Sequence, residues 1–183
     1  MEESLAANVR LQVGHTSEFD PSVLAAARNL LYDVFDDMTD DDWDHSLGGM
    51  HAIAWHDTSL IGHASVVQRR LVHGGEALRT GYVEGVAVAQ AWQGRGVGAL
   101  IMSPLEQIIM RAYDLGALGA SDAAIGFYLN RGWLKWIGHT SALTPTGVVR
   151  TPDEDDSIFV MRTVHPIDIT GELTCDWRGG DVW

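Results

Sequence analysis

Apolar and polar positions alternate through residues 8–13, with Val9, Leu11 and Val13 on one side, which predicts a half-buried strand. The period then changes. Asp20-Pro21 reads as an N-cap followed by proline at the first helical position. Val23, Leu24, Ala27, Leu30, Leu31, Val34 and Phe35 follow at helical spacing and give that helix one apolar face. A second, short helix is expected to start at residues 39–42 and to end at Leu47-Gly48-Gly49. Residues 50–55 and 60–71 are apolar and rich in strand formers, divided by a hairpin turn at His56-Asp57-Thr58-Ser59. His73-Gly74-Gly75-Glu76 makes the next turn, into a strand that runs to Val88. Three consecutive strands with short turns predict an antiparallel meander.

Beyond this the pattern is helical again. Ile101, Leu105, Ile108, Ala112 and Leu115 form one stripe, so a helix is expected to run to about Leu115. Pro104 lies inside it and should kink it or sit within its first turns. Residues 116–120 read as a short strand. Ser121 or Asp122 caps the next helix and Gly132 closes it. Residues 133–144 and 157–164 read as a final strand pair around Pro145-Thr146-Gly147, with the acid cluster Asp153-Glu154-Asp155-Asp156 in the connection. The tail, residues 171–183, carries two tryptophans and is too apolar to float freely. Gly179-Gly180 permits a tight turn there, so the tail is expected to fold back with Val182 and Trp183 packed. The predicted class is α/β (α+β) in the order βααβββαβαββ. At 183 residues, the chain is expected to be one domain, 1–183, large enough to bury roughly two-thirds of its unfolded surface.

Charge narrows the partners. Twelve basic and 25 acidic residues leave a net −13, which argues against nucleic acid and favours cationic ligands, with plain solubility as the alternative. No apolar run reaches the ~20 residues of a membrane span, and the amino-terminal stretch has no basic-then-apolar targeting pattern. One cysteine, Cys175, forbids an internal disulfide and fits a reducing, cytoplasmic setting. Between Asp33 and Asp44 lie seven aspartates and no Lys or Arg. They read either as a solvated loop with acids at a helix N-terminus or as a wall that receives ammonium groups.

The candidate chemistry sits around one strand and the loop after it. Tyr82-Val83-Glu84-Gly85-Val86-Ala87-Val88 is a strand with a carboxylate in it. Glu84 lies between apolar neighbours, where desolvation would raise its pKa towards a useful value for a base; an outward-facing strand residue is the alternative. Gln93-Gly94-Arg95-Gly96-Val97-Gly98 is a glycine-rich loop that opens the long helix. Such a loop aims backbone N–H groups and the positive end of the helix dipole at one spot, which suits a phosphate. It has neither the Walker spacing nor the Gly-x-Gly-x-x-Gly spacing of dinucleotide folds. Cys175 has no cysteine motif around it and reads as a small buried residue. His51, His56 and His63 are not expected to converge on one face with a carboxylate, so no metal is expected.

The Gln93–Gly98 pattern resembles the pyrophosphate loop of the GNAT acyltransferase superfamily, whose donor is an acyl-coenzyme A. Ala124-Ile125-Gly126-Phe127-Tyr128-Leu129-Asn130-Arg131-Gly132-Trp133 resembles a second superfamily segment, with Trp133 where Phe is usual. Four blocks go further: Leu47-Gly48-Gly49-Met50-His51, Gln68-Arg69-Arg70-Leu71, Gly81 through Val88, and Cys175 through Trp183. These resemble the aminoglycoside 2′-N-acetyltransferases. The resemblance implies a mixed central β-sheet flanked by helices, acetyl-CoA as co-substrate, and direct transfer to an aminoglycoside 2′-amine in a ternary complex. It implies Glu84 as the base, acting through water, and Tyr128 as the acid near the thioester sulfur, with a packed core tyrosine as the alternative. Val86 and Val88 would offer backbone bonds to the pantetheine arm. Gln93, Gly94, Arg95, Gly96 and Gly98 would take the pyrophosphate. Asp37, Asp42, Glu84, Glu154, Asp181 and the Trp183 carboxylate would receive the acceptor, with Gly119 and Ser121 near it. Many relatives in that family are dimers, so a homodimer is one option, and the residues themselves leave the oligomeric state open. Two rival functions remain: a non-catalytic sensor of acyl-CoA or a cationic ligand, and an acetyltransferase for another polyamine or amino sugar.

Overall fold

Proline opens the first helix, α1 (Pro21–Val34), at the position where its missing N–H leaves no bond unmade. Asp20 is the N-cap residue but makes no side-chain cap bond. The next helix, α2 (Asp40–His45), starts on a capping box: Thr39 Oγ1 accepts the Asp42 N–H while Asp42 Oδ2 accepts the Thr39 N–H. Both starts match the expectation from sequence. The computed structural model describes residues 8–183, so the amino-terminal stretch searched for a targeting pattern lies outside the described residues. The remaining elements are β1 (Val9–His15), β2 (Met50–His56), β3 (Ser59–His73), β4 (Glu76–Val88), α3 (Val97–Ala112), β5 (Leu115–Gly119), α4 (Ile125–Asn130), β6 (Leu134–Lys135), β7 (Thr140–Thr144), β8 (Gly147–Arg150), β9 (Ile158–Arg162) and β10 (Leu173–Cys175). The class is α+β with a mixed sheet. Among the described residues no helix is long and apolar enough to cross a membrane.

Two expectations give way. Helix α3 ends at Ala112, and Leu115, which fits its apolar stripe, begins a strand instead. Leu115 pairs with Thr80 on one side and Arg162 on the other. The Asp114 N–H meets the Arg79 carbonyl, and the Asp114 carboxylate holds the Arg79 guanidinium at 3.0 Å. Backbone partners on both flanks outweigh one more residue on a stripe. Pro104 sits in the middle of α3, where it cannot donate to the Leu100 carbonyl. After α4 there are five short strands rather than two. The run 133–144 splits into β6 and β7, which serve different neighbours, and β8 and β10 are additional.

The chain forms two compact units. The first takes the residues up to Val67 together with Val83–Gln107. In it β1 runs antiparallel to β2, and β2 antiparallel to β3. Ala27, Leu30 and Leu31 of α1 and Val97, Ile101, Met102 and Leu105 of α3 are buried. The second unit holds Gln68–Tyr82 and Ile108–Trp183. Its strands follow the order β6-β9-β5-β4-β3-β10-β7-β8, with β4/β5 and β10/β7 parallel. Ile109, Leu115, Trp133, Trp136, Phe159, Leu173 and Cys175 form its interior. Burial pushes the Cys175 thiol up to about 11.

One crossing in the second unit has no room for a side chain. The Ile137 and Gly138 N–H groups both donate to Ile169 O, and a Cβ on Gly138 would lie 1.7 Å from Gly171 O. Backbone, not a flexible side chain, would have to move. Gly138→Ala is therefore expected to cost about 3 kcal/mol. At about 2–4 °C per kcal/mol for this size, the melting temperature should fall by roughly 10 °C. Gly126→Ala, with open space around the added carbon, is the control and should be neutral or mildly stabilising. Calorimetry of the two variants checks the pair.

Candidate functional site

In the first unit, β4 hands over to the glycine loop. Gly94 and Gly96 sit at φ 71° and 84°, a backbone region open to glycine and costly for other residues. Gly96 O accepts the Leu100 N–H and so begins the helical bonding of α3. The N–H groups of the first turn of α3 have no helical carbonyl to meet, and they share the positive end of its dipole. The space beside Gly94 and Gly96 is open, so the protein itself demands glycine here only through φ. Gln93 Nε2 donates to Val88 O at 3.1 Å, which ties the loop to the end of β4. The Arg95 guanidinium lies over the Trp92 ring. Gln93, Gly94, Arg95 and Gly96 are all exposed.

Glu84 lies half-buried in β4, and its carbonyl accepts from Ser65 Oγ at 3.4 Å. Gly85 follows at φ 57°, inside the strand. Its carbonyl accepts from His63 Nδ1 at 2.7 Å. Asp37 is exposed, whereas Asp42 is half-buried and gives Oδ2 to both the N–H and the hydroxyl of Thr39. The acid-rich stretch thus does the capping that its milder reading required. Arg28, Tyr32 and Asp40 form a further exposed cluster there, with both Arg28 Nη2 and Tyr32 Oη on Asp40 Oδ1.

Among the described residues no group of three His, Cys, Asp or Glu side chains gathers to hold a metal ion, yet two of the histidines meet. His51 and His63 do converge: across the β2/β3 pairing their rings meet with Nδ1 of His51 and Nε2 of His63 2.9 Å apart. Both are fully buried, with Phe19 edge-on to His51 and Trp43 tilted over His63. His56 is elsewhere, its ring tilted against Trp92. The spacing on strands gave no sign of this because the meeting depends on the cross-strand register.

The second unit gathers the other candidates. Tyr128 is buried, edge-on to Phe127 and Trp133. Gly119 closes β5 opposite Ile158, and the next N–H, of Ala120, bonds Ser157 O. Ser157 Oγ in turn donates to Glu154 Oε2 at 2.8 Å. Ser121, exposed, is the residue before the turn that leads into α4. Glu154 is partly buried, which raises its pKa, and the Asp181 charge raises it further. Trp183 is buried and donates from Nε1 to Thr151 Oγ1 at 2.9 Å. Its N–H donates to Asp181 Oδ1, and its main-chain oxygen accepts from Arg178 Nη2 at 2.8 Å. Arg69, which the sequence marks only as part of the Gln68-Arg69-Arg70-Leu71 block, anchors this tail. It donates to the Asp176 carboxylate, the Asp176 carbonyl and the Val182 carbonyl. Arg69 and Arg178 both lie over the Tyr82 ring. Gly119, Glu154, Asp181 and Trp183 are thus brought together through Ser157, Thr151 and Tyr82.

The chain is similar to known proteins at the level of family and fold. A model of the acetyltransferase (GNAT) family matches residues 20–133. An aminoglycoside 2′-N-acetyltransferase of Mycolicibacterium fortuitum is 51% identical over 174 residues, covering 92% of this chain and 89% of that protein. The crystal structure of the GNAT family N-acetyltransferase YhbS from Escherichia coli in complex with CoA matches with a TM-score of 0.62 at 17% identity, over 96% of this chain and 93% of that one. Escherichia coli ElaA matches with a TM-score of 0.58 at 22% identity, over 84% and 99%. At such identities the two structures speak for the fold alone.

The histidine pair has a consequence for stability. Burial lowers the His51 pKa to about 4, with the His15 charge adding to it, and lowers that of His63 to about 3. In the unfolded chain both would titrate near 6.5. Below that pH the unfolded state takes up protons that the folded state refuses. The stability from the neutral pair is complete above about 6.5 and declines as pH falls towards 4 and 3. Denaturant unfolding between pH 7.5 and 5 should show this fall, above the range where ordinary carboxylates titrate. A His51→Gln/His63→Gln double variant should be less stable at pH 7.5 yet show a shallower slope.

Proposed function

The chain belongs to the acetyltransferase (GNAT) family, and on that premise we propose that it moves the acetyl group of acetyl-CoA to the 2′-amine of an aminoglycoside. The observation that carries this reading is the 51% identity, over nearly the whole chain, to an aminoglycoside 2′-N-acetyltransferase. The net charge of −13 supports it, because such acceptors are polycations.

The roles follow from the chemistry. An ammonium has no lone pair, so the acceptor must lose a proton before its nitrogen can form a bond to the thioester carbon. The carbon–sulfur bond then breaks, and the coenzyme leaves as a thiol once it has gained a proton. Glu84 is the base, acting through water, and Tyr128 is the acid. The open space at Gly94 and Gly96 and the first-turn N–H groups of α3 suit the pyrophosphate, with Gln93, Arg95 and Gly98 around it and the backbone of Val86 and Val88 beside the pantetheine arm. Asp37 and Asp42 in the first unit, and Gly119, Ser121, Glu154, Asp181 and Trp183 in the second, are each proposed as contacts of the acceptor. The raised pKa of Glu154 supports this, since a cation arriving beside Glu154 and Asp181 would relieve their repulsion. A cytoplasmic location belongs to the same reading, for the lone thiol of Cys175 is buried and unpaired with another cysteine.

One assay separates the rivals: acetyl-CoA turnover against a panel of aminoglycosides, polyamines and amino sugars, with mass spectrometry to locate the acetyl group. A sensor would turn over none of them. In the same assay Glu84→Gln should lower kcat by about 10²–10⁴-fold while calorimetry shows unchanged acetyl-CoA binding. A wild-type rate for Glu84→Gln removes the base.

The acceptor side makes a separate prediction. Asp181→Asn keeps an oxygen for the Trp183 N–H but removes the charge. A charge-assisted bond is worth about 1.5–3 kcal/mol, so the aminoglycoside KM should rise by about 10–100-fold. Melting temperature and acetyl-CoA affinity should stay near wild type. An unchanged KM would remove Asp181 from the acceptor site.

A further inference from the structure

The buried histidine pair lies next to the candidate base without being part of it. A carbonyl can only accept, so His63 Nδ1 carries the hydrogen of the bond to Gly85 O. In a neutral ring Nε2 is then an acceptor, and His51 must donate to it from Nδ1. His51 Nε2 is left as an acceptor and takes the Thr16 hydroxyl at 2.7 Å. Thr16 Oγ1 in turn accepts the Gly48 N–H at 2.9 Å. Only one pattern of tautomers satisfies every atom, and it runs in a single direction from Gly48 to Gly85. Burial keeps both rings neutral, as that pattern requires.

The receiving end of this chain is built for it. Gly85 is at φ 57° within β4, the mark of a local kink in a strand. A Cβ there would lie 2.7 Å from Ser46 Oγ and 3.2 Å from His63 Cε1, so the ring rests against the glycine itself. Ser46 is fully buried and cannot withdraw into solvent. The Glu84 and Gly85 carbonyls are held in succession by Ser65 and His63, both on β3. The 84–85 peptide, one of the two that flank this kink, also flanks the Glu84 Cα, so the kink bears on the direction in which Glu84 leaves the strand.

We propose that His63, ordered by His51 and Thr16, is a positioning residue that fixes the kinked peptide at Gly85 and through it the aim of the Glu84 carboxylate. The inference rests on Glu84 being the base. His63 does not touch substrate; its task is to hold geometry. A displacement of about 1 Å at a reacting group can cost about 10²-fold in rate.

The experiment turns on where an amide is placed. Asn at position 63 puts its N–H near the Nδ1 position, within reach of Gly85 O. Gln puts the same group near Nε2, where it meets His51 and leaves Gly85 O without its donor. Kinetics of His63→Asn, His63→Gln and His63→Leu are measured below each variant's melting temperature. The expected result is a 10–10²-fold loss of kcat for His63→Gln and His63→Leu, with acetyl-CoA affinity and acceptor KM within about 2-fold of wild type, as befits lost orientation rather than lost binding. His63→Asn should recover most of the lost kcat. In a Glu84→Gln background His63→Gln should cost less than 2-fold, because the group it aims is already gone. Equal rates for His63→Asn and His63→Gln, or a full His63→Gln loss on top of Glu84→Gln, would overturn the positioning role while leaving the base in place. If His63→Leu does not fold, the Asn and Gln pair still decides. A wild-type rate for Glu84→Gln alone would remove the base and this inference together.

Discussion

A backbone carbonyl taken out of water must find a donor, and a strand that kinks gives up the regular ladder that would provide one. At Gly85 the strand does kink, and the donor comes from a side chain that is itself buried. That need propagates. The His63 ring requires a donor from His51, His51 requires one from Thr16, and Thr16 takes the Gly48 N–H. Residues far apart in the chain are thus bound to a single hydrogen-bond direction. Phe19 and Trp43 keep water from competing with it. A network of this kind is worth having only when every member is satisfied, and here every member is.

The second unit solves a different problem, the control of charge. Glu154 and Asp181 sit close enough for one to raise the pKa of the other. Around them the guanidinium groups of Arg69 and Arg178 hold main-chain oxygens of the tail while lying over one aromatic ring, Tyr82. Nearby Asp155 is treated in the opposite way. Bonds from Arg150 and Thr140 hold its carboxyl well below the usual range, which makes it a fixed anion of the framework. Two carboxylates in one loop therefore have opposite characters, one committed to the fold and one left expensive to ionise. The difference lies in the presence or absence of a dedicated guanidinium.

Much of this was legible in the chain. The Pro21 start of α1, the Thr39/Asp42 cap, and the turns at His56-Asp57-Thr58-Ser59 and His73-Gly74-Gly75-Glu76 are local events, and local chemistry settles them. The end of α3 was not legible, because Leu115 fits the helical stripe and only its pairing with Thr80 and Arg162 makes it a strand. Strands β8 and β10 are short and owe their existence to neighbours on β7. The meeting of His51 with His63 needed the cross-strand register, which no spacing rule contains. The packed Trp183 was foreseeable from the apolar end of the tail, whereas the two arginines that hold that tail were not.

The mutual repulsion of Glu154 and Asp181, set in a chain of net charge −13, bears on how ligands for this protein are sought. Such a surface attracts counter-ions of many kinds. Spermidine, magnesium or a basic peptide would each quench part of that repulsion and raise the melting temperature by mass action. A thermal-shift screen would then rank compounds by how much positive charge they carry rather than by whether an amine is placed to react. Titration at two salt concentrations separates the classes, since diffuse neutralisation fades with ionic strength faster than a shape-matched contact does.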